Sequence, residues 1–215
     1  MNIASFIDHT ILRPDCTLQD VKKICAEAQQ YGFAAVCIPP FFVPDAAQLL
    51  SGSPVKLSTV AGFPMGYSTT AAKVEEVKRA IDDGVDEIDV VINLCALKNN
   101  NWKYVRDDID RVTTAARLKG KLVKVIFETG LLTEAEIAKL CEICLEVGPD
   151  FIKTSTGING EGATVQMVRY LSSLLQDRMK IKASGGIRTR EDAERLIEAG
   201  AKRIGTSASV LIVTE

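Results

Sequence analysis

Amphipathic stretches and short apolar runs alternate along this chain, and one phrase recurs: an amphipathic stretch, a glycine, a short spacer, then an apolar run. Ala28-Gln-Gln-Tyr-Gly32 leads to Ala34-Ala-Val-Cys-Ile38, and Ala80-Ile-Asp-Asp-Gly84 leads to Glu87-Ile-Asp-Val-Val-Ile92. The phrase returns at Gly120 before Leu122, at Gly148 before Phe151 and at Gly200 before Arg203. Each glycine suits the left-handed backbone that ends a helix. Repetition of helix, glycine and strand predicts βα units joined by short connections. Helix starts agree: Thr133-Glu-Ala-Glu136 is a capping box, and Thr17-Leu-Gln-Asp20 and Thr189-Arg-Glu-Asp192 are similar with a shorter acid.

The pattern predicts strands over 6–12, 34–38, 57–61, 87–92, 122–127, 151–153, 180–183 and 203–205. Helices are predicted over 17–31, 43–50, 70–83, 103–119, 133–146, 164–176 and 189–199, with a short eighth over 207–213. Eight such units fit a TIM (β/α)8 barrel, one α/β domain over residues 1–215, near the lower size limit of about 200 residues for that fold. The alternative, an open doubly wound sheet, lacks its G-x-G-x-x-G turn after the first strand.

Composition narrows the partners. The 215 residues are 47% hydrophobic and 25% charged with a net charge of -2, which favours neither nucleic acid nor an anionic membrane. No apolar run reaches the roughly 20 residues of a membrane span, and the first residues lack a basic and then apolar leader, so a cytoplasmic protein is expected. Cys141 and Cys144 form a Cys-x-x-Cys pair inside the 133–146 helix with no second pair; they read as core-facing residues, and all six cysteines as free thiols.

In a barrel the chemistry sits at the C-terminal ends of the strands. Lys153 closes the sixth strand and Lys182 lies in the seventh, and alternation with Ile152 and Ile181 turns both lysines inward. Two ammonium groups on adjacent strands repel, and the one that loses its proton becomes a nucleophile toward carbonyls. In the fourth strand Ile88, Val90 and Ile92 suit the helix side, leaving Glu87, Asp89, Val91 and Asn93 inward. Asp89 is read as a proton-transfer or water-positioning group, with pairing to a buried lysine as the structural alternative.

The turns beyond these strands are rich in small residues: Thr154-Ser-Thr-Gly157 with Thr156 and Gly157, Ser184-Gly-Gly-Ile187 with Gly185 and Gly186, and Gly205-Thr-Ser207 with Thr206. Such turns at helix starts, after the seventh and eighth strands, favour a phosphorylated substrate. His9, the lone histidine, reads as a structural hydrogen-bonding group, with Asp8 and Thr10 lining the same mouth. Cys37 reads as core packing, and no metal-ligand spacing is visible.

Taken together, Ile7-Asp-His-Thr-Ile-Leu12, Val60-Ala-Gly-Phe-Pro-Met-Gly66, Asp86-Glu-Ile-Asp-Val-Val-Ile-Asn93, Phe151-Ile-Lys-Thr-Ser-Thr-Gly157, Lys182-Ala-Ser-Gly-Gly-Ile187 and Gly205-Thr-Ser207 resemble the bacterial-type deoxyribose-phosphate aldolases over nearly the whole length. The resemblance implies a class I aldolase without metal or cofactor on a TIM barrel. It would cleave 2-deoxy-D-ribose 5-phosphate reversibly to acetaldehyde and D-glyceraldehyde 3-phosphate. By the same resemblance Lys153 forms the Schiff base, Lys182 lowers its pKa, Asp89 relays protons through water, and the Gly185-Gly186 and Gly205-Thr206-Ser207 turns hold phosphate. A homo-oligomer, dimer or tetramer, is implied as well.

The chain departs from some relatives at Ile158 (a lysine there), Cys95 and Ser209 (glycines) and Pro39-Pro40 (a polar residue then proline). It also stops at Glu215, where some relatives have a tail ending in tyrosine. Differences in phosphate grip and in closure over the substrate are expected from Ile158 and the last residues. The rival readings are another Schiff-base aldolase for a related phosphorylated sugar and a non-catalytic sugar-phosphate-binding barrel.

Overall fold

The computed structural model describes residues 2–215. Eight parallel strands pair in chain order and the last closes on the first, making a closed barrel. They are β1 (Ile7–Thr10), β2 (Ala35–Cys37), β3 (Lys56–Ala61), β4 (Glu87–Val91), β5 (Leu122–Ile126), β6 (Phe151–Lys153), β7 (Lys180–Ser184) and β8 (Arg203–Thr206). The surrounding helices are α1 (Leu18–Tyr31), α2 (Val43–Leu49), α3 (Thr70–Asp82), α4 (Leu94–Lys98), α5 (Trp102–Arg117), α6 (Glu134–Val147), α7 (Val165–Leu175), α8 (Arg190–Glu198) and α9 (Ser209–Thr214). The TIM barrel expected from the repeated phrase is therefore the fold.

Local chemistry explains the element ends. Thr17, Thr133 and Thr189 each accept from the backbone three residues on, while Asp20, Glu136 and Asp192 reach back, so all three capping boxes form. Gly32 and Gly148 are left-handed caps at φ 69° and 78°. Two details differ from the sequence pattern. β1 ends at Thr10, two residues before the end of its apolar run. The unexpected α4 starts because the Asn93 side chain accepts from the Ala96 N–H; Asn93 is thus a helix cap and not an inward-facing group.

Two kinds of interior result. Between strands and helices lies the apolar core, including Ile7, Val36, Ile88, Val90, Val123, Val125, Ile152, Ile181 and Ile204. Cys141 and Cys144 are buried on α6, and burial pushes Cys141 up to about 12 and Cys144 up as well, so both serve as small core residues. The barrel lumen is different. Its buried inward positions include Asp8, Ser58, Glu87, Asp89, Lys124, Lys153, Lys182 and Ser184, where branched apolar side chains usually stack.

Candidate active site

Register places the lumen charges. Asp89 on β4 pairs with Lys124 on β5, and Lys153 on β6 pairs with Lys182 on β7. Asp89 is fully buried and accepts from three ammonium groups. Oδ2 lies 2.8 Å from both Lys153 Nζ and Lys182 Nζ, and Oδ1 lies 2.8 Å from Lys124 Nζ. Below this triad Lys182 reaches Asp8 at 2.5 Å and Lys124 reaches Glu87 at 2.7 Å. Arg203 closes the floor, donating to both Asp8 and Glu87. The lumen thus sets Asp8, Glu87 and Asp89 against Lys124, Lys153, Lys182 and Arg203. Its formal charges cancel when Lys153 is neutral.

The environment moves the two neighbouring lysines in opposite directions. Burial is the largest influence on Lys153 and favours the neutral amine; Asp89 opposes it, Lys182 adds to it, and the net shift is downward. For Lys182 burial is outweighed by Asp8 and then Asp89, and its ammonium is held well above the ordinary range. Asp89 resists burial through Lys124, Lys153 and Lys182 and is held well below the usual carboxylate range. Asp8 is lowered to about 2 by Lys182, Lys124 and Arg203 against its burial. Paired groups driven apart in this way divide acid and base roles between them.

A cavity of about 590 Å³ opens over the C-terminal ends of the strands. Of the lumen charges only Lys153 forms part of its wall; Lys182, Asp89, Lys124 and Asp8 lie beneath. Asp8 therefore does not share the mouth with Thr10, contrary to the expectation from the sequence. Thr156, Gly157, Gly185, Gly186, Gly205, Thr206 and Ser207 all reach the wall. Among the described residues the amide N–H groups of Gly157, Gly186, Ile187 and Ser207 find no protein acceptor, which leaves donors for an anion.

Packing fixes two of the glycines. A Cβ at Gly205 would lie 3.0 Å from Lys182 Cε, so this glycine makes room for the lysine inside the barrel. A Cβ at Gly185 would lie 2.9 Å from the Gly162 Cα. The hydroxyls of Thr156 and Thr206 are engaged within their own turns: Thr206 donates to the Ile187 carbonyl, and Thr156 donates to Glu128.

His9 sits on the wall with Nε2 2.8 Å from Glu27 Oε2, and burial lowers its pKa. Cys37 is fully buried inside the barrel, where burial raises its thiol. Among the described residues no group of three or more His, Cys, Asp or Glu is placed to hold a metal.

Sequence reasoning missed Lys124, Arg203 and Arg188. Lys124 carries the same signal that exposed Asp89, a charge between branched apolar residues in mid-strand, and goes unnoticed only because lysine so often edges a strand. Arg203, at the first position of β8, pairs with Asp8 across 195 positions of sequence. Arg188 adds a cation to the wall beside Gly186, on the side of the free amides.

This geometry has close parallels. The sequence model of the DeoC/LacD family aldolases matches residues 3–210. A deoxyribose-phosphate aldolase of Thermococcus gammatolerans is 51% identical over 215 residues, covering 99% of this chain and 96% of the relative. One from Caldicellulosiruptor saccharolyticus is 48% identical over 99% of this chain and 97% of its own length. The solved tetrameric deoxyribose phosphate aldolase of Aeropyrum pernix superposes with a TM-score of 0.93 at 34% identity, covering 99% of this chain and 89% of that one. With the matching barrel and identity near one half over the full length, the chain belongs to the deoxyribose-phosphate aldolase family, DeoC/LacD, and is an aldolase, a lyase.

Proposed function

We propose that this aldolase cleaves 2-deoxy-D-ribose 5-phosphate, reversibly, to D-glyceraldehyde 3-phosphate and acetaldehyde through a Schiff base on Lys153. One observation carries the reading: of the four lumen cations, Lys153 alone reaches the cavity, and it alone has its pKa pushed down.

Neutral Lys153 adds to the C1 aldehyde of the open-chain sugar. The carbinolamine hydroxyl takes a proton from the relay and leaves as water, giving an iminium ion; the final hydrolysis returns that proton. The C3 hydroxyl gives up its proton, its electrons form the C3 carbonyl, and the C2–C3 bond breaks. That electron pair becomes the C1–C2 double bond of an enamine, with the iminium nitrogen neutralised, and glyceraldehyde 3-phosphate departs. Protonation at C2 and hydrolysis then release acetaldehyde and free Lys153. Lys182 stays cationic beneath and keeps Lys153 neutral. Asp89 Oδ2 touches both nitrogens, so it connects the lysines to the proton relay; its low pKa makes it a conduit and not a resting place for the proton.

The free amides around Gly157, Gly186, Ile187 and Ser207, with Arg188 beside them, would hold the phosphate and fix C1 over Lys153. With Ile158 apolar, Arg188 is the cation available on that wall close to these amides. A homo-oligomer in a reducing, cytoplasmic compartment completes the proposal, supported by the tetrameric Aeropyrum relative and six free cysteines. No helix among the described residues is long and apolar enough to cross a membrane.

Borohydride reduction in the presence of acetaldehyde, followed by peptide mass spectrometry, is expected to place a two-carbon adduct on Lys153. An adduct on another residue, or none, would sink the assignment. Turnover of deoxyribose 5-phosphate is expected to vanish in Lys153→Ala.

A further inference from the structure

Glu128 is fully buried, yet it takes no part in the cavity wall and has no place in the mechanism above. It follows β5, whose inward positions are Leu122, Lys124 and Ile126, and Ile126 pairs with Lys153. Extended backbone at 128 would carry the carboxylate to the barrel mouth above that pair. Instead Glu128 is left-handed at φ 59° and ψ 56°, a conformation that residues other than glycine, asparagine and aspartate seldom adopt. The turn sends the carboxylate sideways to the loop after β6.

There both oxygens bond Thr156, with the Asn159 side chain close to the same carboxylate. Oε1 accepts the Thr156 N–H at 3.1 Å and Oε2 accepts the Thr156 hydroxyl at 2.5 Å. The Thr156 oxygen in turn accepts the N–H groups of Ile158 at 3.0 Å and Asn159 at 3.3 Å. A hydroxyl has one proton and two lone pairs, and all three are engaged. Thr156 therefore has no lone pair left to take a proton from a substrate, and its hydroxyl proton is already given to Glu128. What the arrangement builds is a turn. That turn presents Gly157 and Ile158 to the cavity, and a Cβ on Gly157 would lie 3.5 Å from the Gly185 Cα, so Gly157 borders the cradle of free amides.

Neighbouring loops hydrogen-bond the rest of the segment, while at Gly157 itself the Gly185 backbone is in van der Waals contact. Asn159 Nδ2 donates to the Pro64 carbonyl at 2.9 Å, and a Cβ on Gly130 would come within 2.7 Å of the Glu161 N. Ala163 donates to the carbonyls of Ser184 and Gly185 at 3.0 and 3.1 Å. The hydrogen bonds that flank Gly157 are those of Thr156, to Glu128 on one side and to the Ile158 and Asn159 N–H groups on the other.

We propose that Glu128 is a positioning residue which, through the Thr156 hydroxyl, holds the 156–159 turn in the form that offers the Gly157 amide to the phosphate of the substrate. The proposal rests on the sugar-phosphate reading given above.

The test compares deoxyribose 5-phosphate with unphosphorylated deoxyribose on the full chain. Glu128→Gln keeps the length of the side chain and one acceptor but puts an amide donor against the Thr156 hydroxyl. KM for the phosphorylated sugar is expected to rise about tenfold or more while kcat changes far less, as for loss of a hydrogen bond to a charged group. KM for free deoxyribose should not rise in step. Thr156→Val should reproduce the effect, Thr156→Ser should restore most of it, and Glu128→Gln with Thr156→Val should be no worse than either alone.

Calorimetric titration with inorganic phosphate needs no turnover and should show the same weakening. An unchanged KM with unchanged phosphate binding, an equal loss with free deoxyribose, or effects that multiply in the double variant would overturn the proposal. If Glu128→Gln does not fold, the Thr156→Val and Thr156→Ser pair decides on the same readouts. Failure of the aldolase reading is seen separately, as a missing wild-type borohydride adduct. Failure of the Glu128 proposal leaves that adduct intact.

Discussion

At the scale of single residues the lowered pKa of Lys153 comes from what surrounds it. A lone lysine at that depth would drop its proton through burial alone, but it would face Asp89, whose charge opposes the drop. Lys182 shares Asp89 Oδ2 and so takes up part of that charge. Lys182→Met removes the competing cation and leaves Asp8 and Asp89 less compensated, so the Lys153 pKa rises. The acid limb of the pH–kcat/KM profile is then expected to move upward by about a unit or more, with roughly a tenfold loss of kcat/KM for each unit at pH values below it. An acid limb at the wild-type position would refute the coupling.

The Lys153–Lys182 pair was legible in the sequence because both residues follow an isoleucine that must face the helices. Lys124 was equally legible in principle. The direction of the Glu128 carboxylate was not, because a single left-handed residue breaks the alternation from which direction is read.

Elements are joined around the site by a second buried charge pair. Lys73 on α3 is fully buried, 2.7 Å from Asp108 on α5, and donates to the Val91 carbonyl at the end of β4 at 2.8 Å. Thr70 adds a 2.7 Å bond to Asp108. This clamp holds two helices and the end of the strand that carries Asp89. The same lysine packs under Gly62, where a Cβ would lie 2.9 Å from its Cε. Asp108→Ala leaves the ammonium buried and unpaired, and a loss of about 3–5 kcal/mol is expected in urea unfolding. A loss below about 1 kcal/mol would mean the clamp carries little. The sequence shows Lys73 and Asp108 only as charges on amphipathic helices; that they meet depends on the packing of α3 against α5.

Over the whole molecule the buried lumen carboxylates Asp8 and Asp89 link stability to pH. Asp8 is depressed to about 2 from 3.8, and Asp89 is depressed as well. A carboxylate depressed by folding adds stability above its unfolded pKa and gives it up as pH falls through its folded value. For Asp8 this amounts to about 2 kcal/mol, lost between about pH 4 and pH 2, with Asp89 adding in the same direction. Urea midpoints measured from pH 6 downward are expected to fall steeply across that window. A flat profile there would contradict the charge network. Raising the pH toward neutrality should leave this contribution unchanged.

The hydrophobic pattern by itself determined the barrel, the order of its eight strands and the inward aspect of Lys153, Lys182 and Asp89, because alternation and helix–glycine–strand repetition are local rules written in neighbouring residues. The family likeness was carried by short motifs at the ends of those strands. Only the tertiary structure decided which lysine reaches the cavity, that Asp8 lies below it, that Lys124 and Arg203 complete the charge balance, and that Glu128 turns aside to hold Thr156. Each of these depends on strand register or on contacts between residues far apart in the chain, and charges in a shared lumen acquire their properties from one another rather than from their neighbours in sequence.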